Sequence, residues 1–575
     1  MNKMLLFALA VLCSVGTAVS QDDNFLIQRV LLISVDGMHA VDFANCAQGI
    51  SGANNGEPYC PNIAALAKTG TNYVYASTSK PSDSFPGLTA IITGGSPALT
   101  GVYYDVAFSR NLDGPAVVTG NGNGPDKCVA GAAAHGFTTE YEEGIDYDKT
   151  KLNGGAKGAS LTDGTIASID PKKLPQDPAK GCAPVYPWEF VRANSIFSVI
   201  HQAGGITAWS DKHPAYSSVA SGIGPQALSD FYAPEINSTV IPLPHVTTPT
   251  GVQCDSIRDP HVDESAWTNG FGNIQCYDTL KVDAVLNWIQ GKNHLGTGNL
   301  QGVPNIFGMN FQAVSVGQKL IDKNGVKGGY LDATGVPSEK LVEEFKFLDA
   351  SIGAFVNELE TKGLYDTTLI IITAKHGQSP IDPARYQGEG LPKSPITTSP
   401  AAIADSINGI DCLPFSESTL NANGIGPTED DVSLLWLKHT KNCRTADVVN
   451  ALEAMSPADN NIAGIGEIFY GPALALNYNA PNVDPRTPDI IVTPNIGVTY
   501  SGSTKKQAEH GGFSHDDTNV VLLLSNPGFR AKTVRAEVGT AQVAPTILKA
   551  LGIDPRTLDA VRAEGTRALP DAQLH

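Results

Sequence analysis

An α/β fold with a mostly parallel central sheet flanked by helices is the reading that three features support. Short apolar runs rich in Val, Ile and Leu recur at 30–35, 306–309, 369–372, 490–493 and 520–524. Segments of helical spacing lie among them, at 60–69, 86–94, 338–361 and 540–551. Two of the runs end abruptly on charged residues: "RVLLISVDG" on Asp36 and "LIIITAKHG" on Lys375 and His376. Continuous apolar strands alternating with helices are the pattern of a parallel sheet covered on both faces. In such sheets, ligands gather beyond the carboxyl ends of the strands.

Of the helices, 338–361 is the most strongly marked. Ser338 is a candidate N-cap, Glu339 places negative charge in the first turn and Gly363 is a stop. Leu341 holds the position where Glu or Gln would complete a capping box. The texture changes to Gly, Asp, Lys and Pro without periodicity at about 105–190, and again at 386–430 and 475–488. A chain of 575 residues has room for one large core or for two or three ordinary domains. The irregular stretches read as surface insertions, so one domain over 21–575 is expected, with insertions near 105–190, 211–275 and 386–430.

Residues 1–20 read as a secretory signal peptide: Lys3 gives the positive start, "MLLFALAVLCSV" the apolar run, and Ala18, Val19 and Ser20 a small-residue cleavage site. Without Cys13, an even set of eight cysteines is left, Cys46, Cys60, Cys128, Cys182, Cys254, Cys276, Cys412 and Cys443, with no CxxC pair. That spacing argues for disulfides over a zinc cluster, in any of 105 pairings. Asn237-Ser238-Thr239 is a glycosylation acceptor. No later segment approaches transmembrane length, so a secreted, extracellular protein is expected. The net charge of −19 disfavours long nucleic acid and anionic membranes but leaves room for a small anionic substrate. The sequence leaves the oligomeric state open.

The strand-end rule would collect Asp36, Asn310 with Gln312, and Lys375 with His376 along one edge. "KPSDSFPGLTAIITGG" adds Ser84, two residues before a Pro suited to the first turn of a helix. A hydroxyl there meets free N–H groups and the positive end of the helix dipole, a setting for a nucleophile and an anionic ester; a plain N-cap serine is the simpler alternative. Asp83 would tune that hydroxyl or cap the helix. "EHGGFSHDD" supplies His510, a metal ligand by type, or else a helix-capping histidine in a turn. "SDKHPAY" places Asp211, Lys212 and His213 after an apolar strand, where they would line a substrate pocket or form a solvated loop. His39 is expected on a helix surface.

Taken in order, "VLLISVDG", "SDSFPGLTAIITGG", "LIIITAKHG", "EHGGFSHDD" and "AQVAPTILKALGI" resemble the alkaline phosphatase superfamily, and within it the type I phosphodiesterase/nucleotide pyrophosphatase family, across about residues 28–553. "RTPDIIV" at 486–492 resembles the strand before that family's last histidine. The resemblance implies an alkaline-phosphatase-like fold, a Ser or Thr nucleophile and two metal ions that polarise the phosphoryl group. Asp36 matches the first metal-binding aspartate, Ser84 the nucleophile, His376 the histidine of Asp-His-Gly and His510 the late histidine. Lys375 replaces the aspartate of Asp-His-Gly, Val314 and Gln318 stand at a lost ligand pair, and Gly87 stands where an asparagine usually binds phosphate oxygens.

These departures reduce the expected metal content to one divalent ion, zinc favoured, with calcium, magnesium or manganese as alternatives. Asp36, His376 and His510 would hold it. Asn310 is a fourth candidate ligand on the strand-end argument alone. Lys375 would take over the electrostatic task of the missing ion, while Gln312, Lys212 and His213 would bind substrate. The implied activity is hydrolysis of a small-molecule phosphate ester through Ser84. Two alternatives stand beside it: a one-metal, sulfatase-like hydrolase, although Leu88 occupies the place of the arginine that completes the sulfatase motif, and a secreted binding protein that retains the fold without turnover.

Overall fold

A computed structural model describes residues 27–574 except 143, 157–163, 240–242, 256–266, 383–398, 408, 415–427, 456–463 and 501–505. The expected signal peptide and most of the 386–430 insertion lie outside the described residues. Eight strands form the central sheet: β1 Arg29–Val35, β2 Gly70–Tyr73, β3 Ala208–Ser210, β4 Asp230–Tyr232, β5 Ile306–Phe311, β6 Thr368–Thr373, β7 Leu523–Ser525 and β8 Lys532–Val534. Their order is β8-β2-β7-β6-β1-β5-β3-β4. β1 lies between β5 and β6 and pairs parallel with both, while β3 and β4 extend the parallel run. The carboxyl ends of these five strands therefore share one edge.

The apolar runs are continuous because both faces of the sheet are buried. Leu31, Ile33 and Val35 join one core cluster with Phe307, Met309, Ile370 and Ile372, whereas Val30 and Leu32 join the other with Ile306, Leu369 and Ile371. This is the two-residue period of a strand read on both sides at once. The helices used below are α1 Ala40–Gln48, α2 Pro61–Lys68, α3 Ser84–Thr93, α4 Phe271–Ile289, α5 Glu339–Thr361 and α6 Val543–Ala550. α4 and α5 cover the first face, and α3 and α6 the second. At the start of α5 the Ser338 hydroxyl accepts from the Leu341 amide at 3.2 Å, the cap its sequence predicts.

Two of the expected strands sit differently. The run at 490–493 forms Ile490–Pro494 of a separate four-stranded antiparallel sheet, paired with Ser433–Leu435 and Ile465–Tyr470. It too is buried on both faces, Ile490 and Val492 in one cluster and Ile491 in another, so apolar continuity could not distinguish the sheets. The run at 520–524 becomes β7, antiparallel to β6 and β2. Asp517 carbonyl accepts from Gly377 N just beyond β6, so the chain enters β7 from the carboxyl edge and must run away from it. The 211–275 segment is also less peripheral than expected, since it contributes β4.

His39 is buried rather than on a helix surface. It stands at the N-terminus of α1, with Nδ1 2.7 Å from Asp42 Oδ2 and Nε2 2.9 Å from the Gln378 carbonyl. Burial alone would lower its pKa, but the Asp42 carboxylate and the Gln378 carbonyl outweigh it and push the imidazole up to about 9. All eight cysteines of the expected set are paired, Cys46–Cys60, Cys128–Cys182, Cys254–Cys276 and Cys412–Cys443. Among the described residues no helix is long and apolar enough to cross a membrane.

Two outcomes are expected. A Cβ at Gly308 would lie 1.7 Å from the Leu32 carbonyl oxygen, so Gly308→Ala should force β1 and β5 apart and cost about 1–3 kcal/mol, read from the urea midpoint. His39 contributes stability that is complete below its unfolded value of 6.5 and is lost as pH rises through about 9. His39→Gln should therefore destabilise by about 2–3 kcal/mol near pH 6, with the gap to wild type closing by about pH 10 in the same assay.

Candidate active site

The shared edge places Asp36 after β1, Gln312 after β5, Lys375 and His376 after β6, and Asp211 and Lys212 after β3. Asp36 is fully buried, and each carboxylate oxygen is held by an amide: Oδ1 accepts from Asn310 Nδ2 at 2.7 Å and Oδ2 from Gln312 Nε2 at 2.6 Å. Burial alone would raise this carboxyl, yet the Lys375 and Lys212 ammonium groups hold it well below the usual carboxylate range. Asn310 thus turns its nitrogen to Asp36, and its oxygen accepts from Gln312 Nε2. Both amides buttress the aspartate.

Ser84 begins α3, one residue after the true N-cap. Asp83 takes the cap, its Oδ2 accepting from Phe85 N at 3.2 Å and from Asp105 N at 2.9 Å. The Ser84 hydroxyl is thereby free for other partners: Lys212 Nζ at 2.9 Å, His376 Nε2 at 3.2 Å and Asp36 Oδ2 at 3.4 Å. α3 can come this close because position 87 is glycine, where a Cβ would lie 2.1 Å from the Lys375 carbonyl oxygen.

The two lysines differ in role from expectation. Lys375 Nζ is fully buried, 2.8 Å from Asp211 Oδ1 and 3.7 Å above the Tyr216 ring. Lys212 Nζ is the ammonium on Ser84, also 3.4 Å from Glu142 Oε2 and 3.7 Å from Asp36 Oδ2. Burial would lower the pKa of Lys212, but Glu142 and Asp36 raise it strongly, so it stays charged. His213 is turned away, its Nδ1 2.9 Å from Glu235.

His376 Nδ1 lies 2.8 Å from the Gly377 carbonyl. The proton must therefore be on Nδ1, leaving the Nε2 lone pair towards Ser84 and Asp36. Burial lowers the His376 pKa, which keeps the ring neutral. The His510 ring lies 3.9 Å from that of His376, and its Nδ1 is 3.7 Å from Asp83 Oδ1. Among the described residues neither of those two facing atoms has a hydrogen-bond partner. Burial, then Glu142, pushes the Asp83 carboxyl up to about 7, and burial and His376 hold His510 well below an ordinary histidine.

Asp36, Ser84, His376, Lys212, Gln312 and Asn310 are thus brought into one contact group, with His510 beside it; the expected ligand set of Asp36, His376 and His510 does not close, since the three do not bring one ligand atom each within 4.8 Å of one another. Lys375 stands behind Asp36, and His213 stands behind Glu142. Glu142 was missed. It lies in "EYEEG" within the aperiodic 105–190 stretch, where neither spacing nor motif marks it, yet its side chain is buried and accepts from Tyr216. Asp83 was read only as a cap or tuner. His510, which faces it, and Lys212 each show 12% of their side chains to solvent.

The donors fit one divalent ion. Asp36 Oδ2, His376 Nε2 and Ser84 Oγ are separated by 3.2, 3.4 and 3.5 Å, close to the roughly 3.3 Å between ligands that share a tetrahedral ion at bonds of about 2.0–2.1 Å. The Nδ1–H to carbonyl bond of His376 is the outer support such a ligand needs. A second ion does not fit: Val314 is core, and the Gln318 amide donates to the Gly37 carbonyl at 2.8 Å and to Tyr330 at 2.7 Å.

Comparison with known proteins identifies the family. The family model described as type I phosphodiesterase/nucleotide pyrophosphatase matches residues 30–141 and 308–517. No curated protein matches at the sequence level. Among solved structures, phosphonoacetate hydrolase from Sinorhizobium meliloti 1021, in complex with phosphonoformate, is 13% identical with a TM-score of 0.50, covering 92% of this chain and 96% of that one. Murine ectonucleotide pyrophosphatase/phosphodiesterase 5 is 12% identical with a TM-score of 0.49 at the same coverage, and an inactive form of it has been solved in complex with AMP. At such identity, likeness to solved structures speaks for the fold alone. The family match spans more than half of the sequence, and the chain belongs to the type I phosphodiesterase/nucleotide pyrophosphatase family, whose members hydrolyse phosphoester bonds.

Proposed function

We propose that this chain is a secreted hydrolase of small phosphate esters that uses Ser84 as nucleophile and one divalent ion, zinc favoured. The observation that carries the reading is Ser84 Oγ at the start of α3 with the Lys212 ammonium 2.9 Å away. Four disulfides support an oxidising compartment.

In-line attack by Oγ on phosphorus breaks the bond to the leaving alcohol and yields a phosphoserine, which water then hydrolyses. Lys212 donates to Oγ, favours the alkoxide as its proton passes to solvent, and then balances charge on the phosphoryl oxygens. Asn310 and Gln312 fix Asp36, and Lys375 keeps it ionised. Asp36, His376 and Ser84 would hold the ion, which supplies Lewis-acid polarisation and a more acidic hydroxyl.

A second reading, a binding protein on the same fold, is favoured by Lys375, Val314 and Gln318 at former ligand positions and by the near-complete burial of Ser84. Hydrolysis of bis(p-nitrophenyl) phosphate and p-nitrophenyl phosphate separates the two. Ser84→Ala should lose about 10³-fold or more of the wild-type rate, and wild-type rates in that variant would overturn the nucleophile. A faster reaction with p-nitrophenyl sulfate would instead favour a sulfatase.

Metal analysis is the companion test. His376→Ala should lose one ion per chain and a chelator should inactivate the wild type. Absence of bound ion in wild type after zinc and calcium supplementation, with no turnover, would favour the binding protein.

A further inference from the structure

We propose that the 105–190 insertion carries its own site for a zinc-class divalent cation, formed by Asp113, Asp126 and His135. One ligand atom from each lies within 4.8 Å of the others, the only such three-residue set of His, Cys, Asp or Glu among the described residues. It is separate from the Ser84 donor set and independent of the hydrolase reading.

The spacing is that of ligands: the His135 contacts to both carboxylates are long for ion pairs, and the one to Asp126 is a hydrogen bond at the limit of its range. His135 Nδ1 lies 3.3 Å from Asp113 Oδ1 and 3.4 Å from Asp126 Oδ2. Closed histidine–carboxylate pairs in this molecule are shorter, 2.7 Å for His39 with Asp42, 2.9 Å for His294 with Asp230 and 2.6 Å for His439 with Asp489, whereas the 3.5 Å of His376 with Asp36, in the Ser84 donor set, is of the same order as the His135 distances. A separation of about 3.3 Å is the edge of a tetrahedron whose centre lies about 2.0–2.1 Å from an imidazole nitrogen and a carboxylate oxygen.

Charge points the same way. Two carboxylates against one imidazole stay net negative even with the ring protonated, and the Asp113 side chain is 98% buried, where uncompensated charge is costly. A dication offsets both carboxylates at once. The carboxylates are held in place by backbone: His135 N donates to Asp113 Oδ1 at 2.7 Å, Gly114 N to Asp126 Oδ2 at 3.2 Å and Lys127 N to Asp126 Oδ1 at 2.7 Å. Such outer contacts orient ligands before the ion arrives. One imidazole with two carboxylates suits zinc, whereas calcium takes six to eight oxygens. The largely exposed His135 ring leaves access for the ion and for water to complete its coordination.

The site has a structural consequence. Asp113 follows Val106–Ser109 and His135 precedes Phe137–Glu140, two strands that pair antiparallel. An ion there closes the loop between them, beside the Cys128–Cys182 bridge, and steadies the hairpin whose second strand leads directly to Glu142 on Lys212.

The test uses the full chain, stripped on a chelating resin and titrated with zinc against a chromophoric competitor, with bound metal counted by mass spectrometry. His135→Ala and Asp126→Asn should each bind one zinc fewer per chain than wild type, whereas His376→Ala should retain that ion. Zinc should raise the wild-type melting temperature by several degrees more than that of His135→Ala. Near-ultraviolet circular dichroism confirms that the exposed-site variants are folded. Equal zinc stoichiometry and equal zinc-induced shifts in wild type, His135→Ala and Asp126→Asn would overturn the proposal. Protection by calcium but not zinc would overturn the zinc-class assignment. The comparison with His376→Ala separates this result from failure at Ser84.

Discussion

Compensated charge around Asp36 is the constraint on which the carboxyl edge of the sheet depends. A fully buried carboxylate is costly unless it is paired and hydrogen-bonded. Here two side-chain amides satisfy its oxygens, and Lys375 and Lys212 supply the field that keeps it ionised. Each lysine brings a further carboxylate with it, Glu142 for Lys212 and Asp211 for Lys375. Tyr216 links the two halves, its ring beneath Lys375 and its hydroxyl on Glu142. Loss of any one member would leave a neighbour buried without compensation.

This network makes sense of departures that look unrelated in the sequence. An ammonium at 375 replaces a carboxylate, so the ligand set loses an acid while the edge gains a cation. Val314 gives its place to the core, and Gln318 spends its amide on Gly37 and Tyr330. Gly87 lets α3 settle against the Lys375 backbone. Together these features leave Asp36 Oδ2, His376 Nε2 and Ser84 Oγ 3.2–3.5 Å apart, with Lys212 Nζ 2.9 Å from Ser84 Oγ and 3.7 Å from Asp36 Oδ2.

The 105–190 segment has a larger part than its composition implies. Its hairpin carries Glu142 into the centre of the charge network, although the rest of the segment is rich in turns and held by the Cys128–Cys182 bridge. Long irregular stretches in compact domains are often functional. In this chain the stretch supplies Glu142, one of the two carboxylates beside the Lys212 ammonium.

By itself the sequence determined the parallel core, because strands buried on both faces must be apolar throughout, and it marked Asp36, Ser84, Lys375, His376 and His510 through ordered motifs at strand and helix ends. It also marked the Ser338 cap and an even set of cysteines. It did not distinguish the sheet of Ile490–Pro494 from the central one, since both present the same burial to the chain. Tertiary structure alone decided that Lys212 and not Lys375 touches Ser84, that Asn310 offers its amide N–H to Asp36, that His39 is buried and that Glu142 belongs to the site. Those outcomes depend on which side chains from distant segments meet in a space of low dielectric. Local pattern carries periodicity and capping, but not the long-range pairing that balances buried charge.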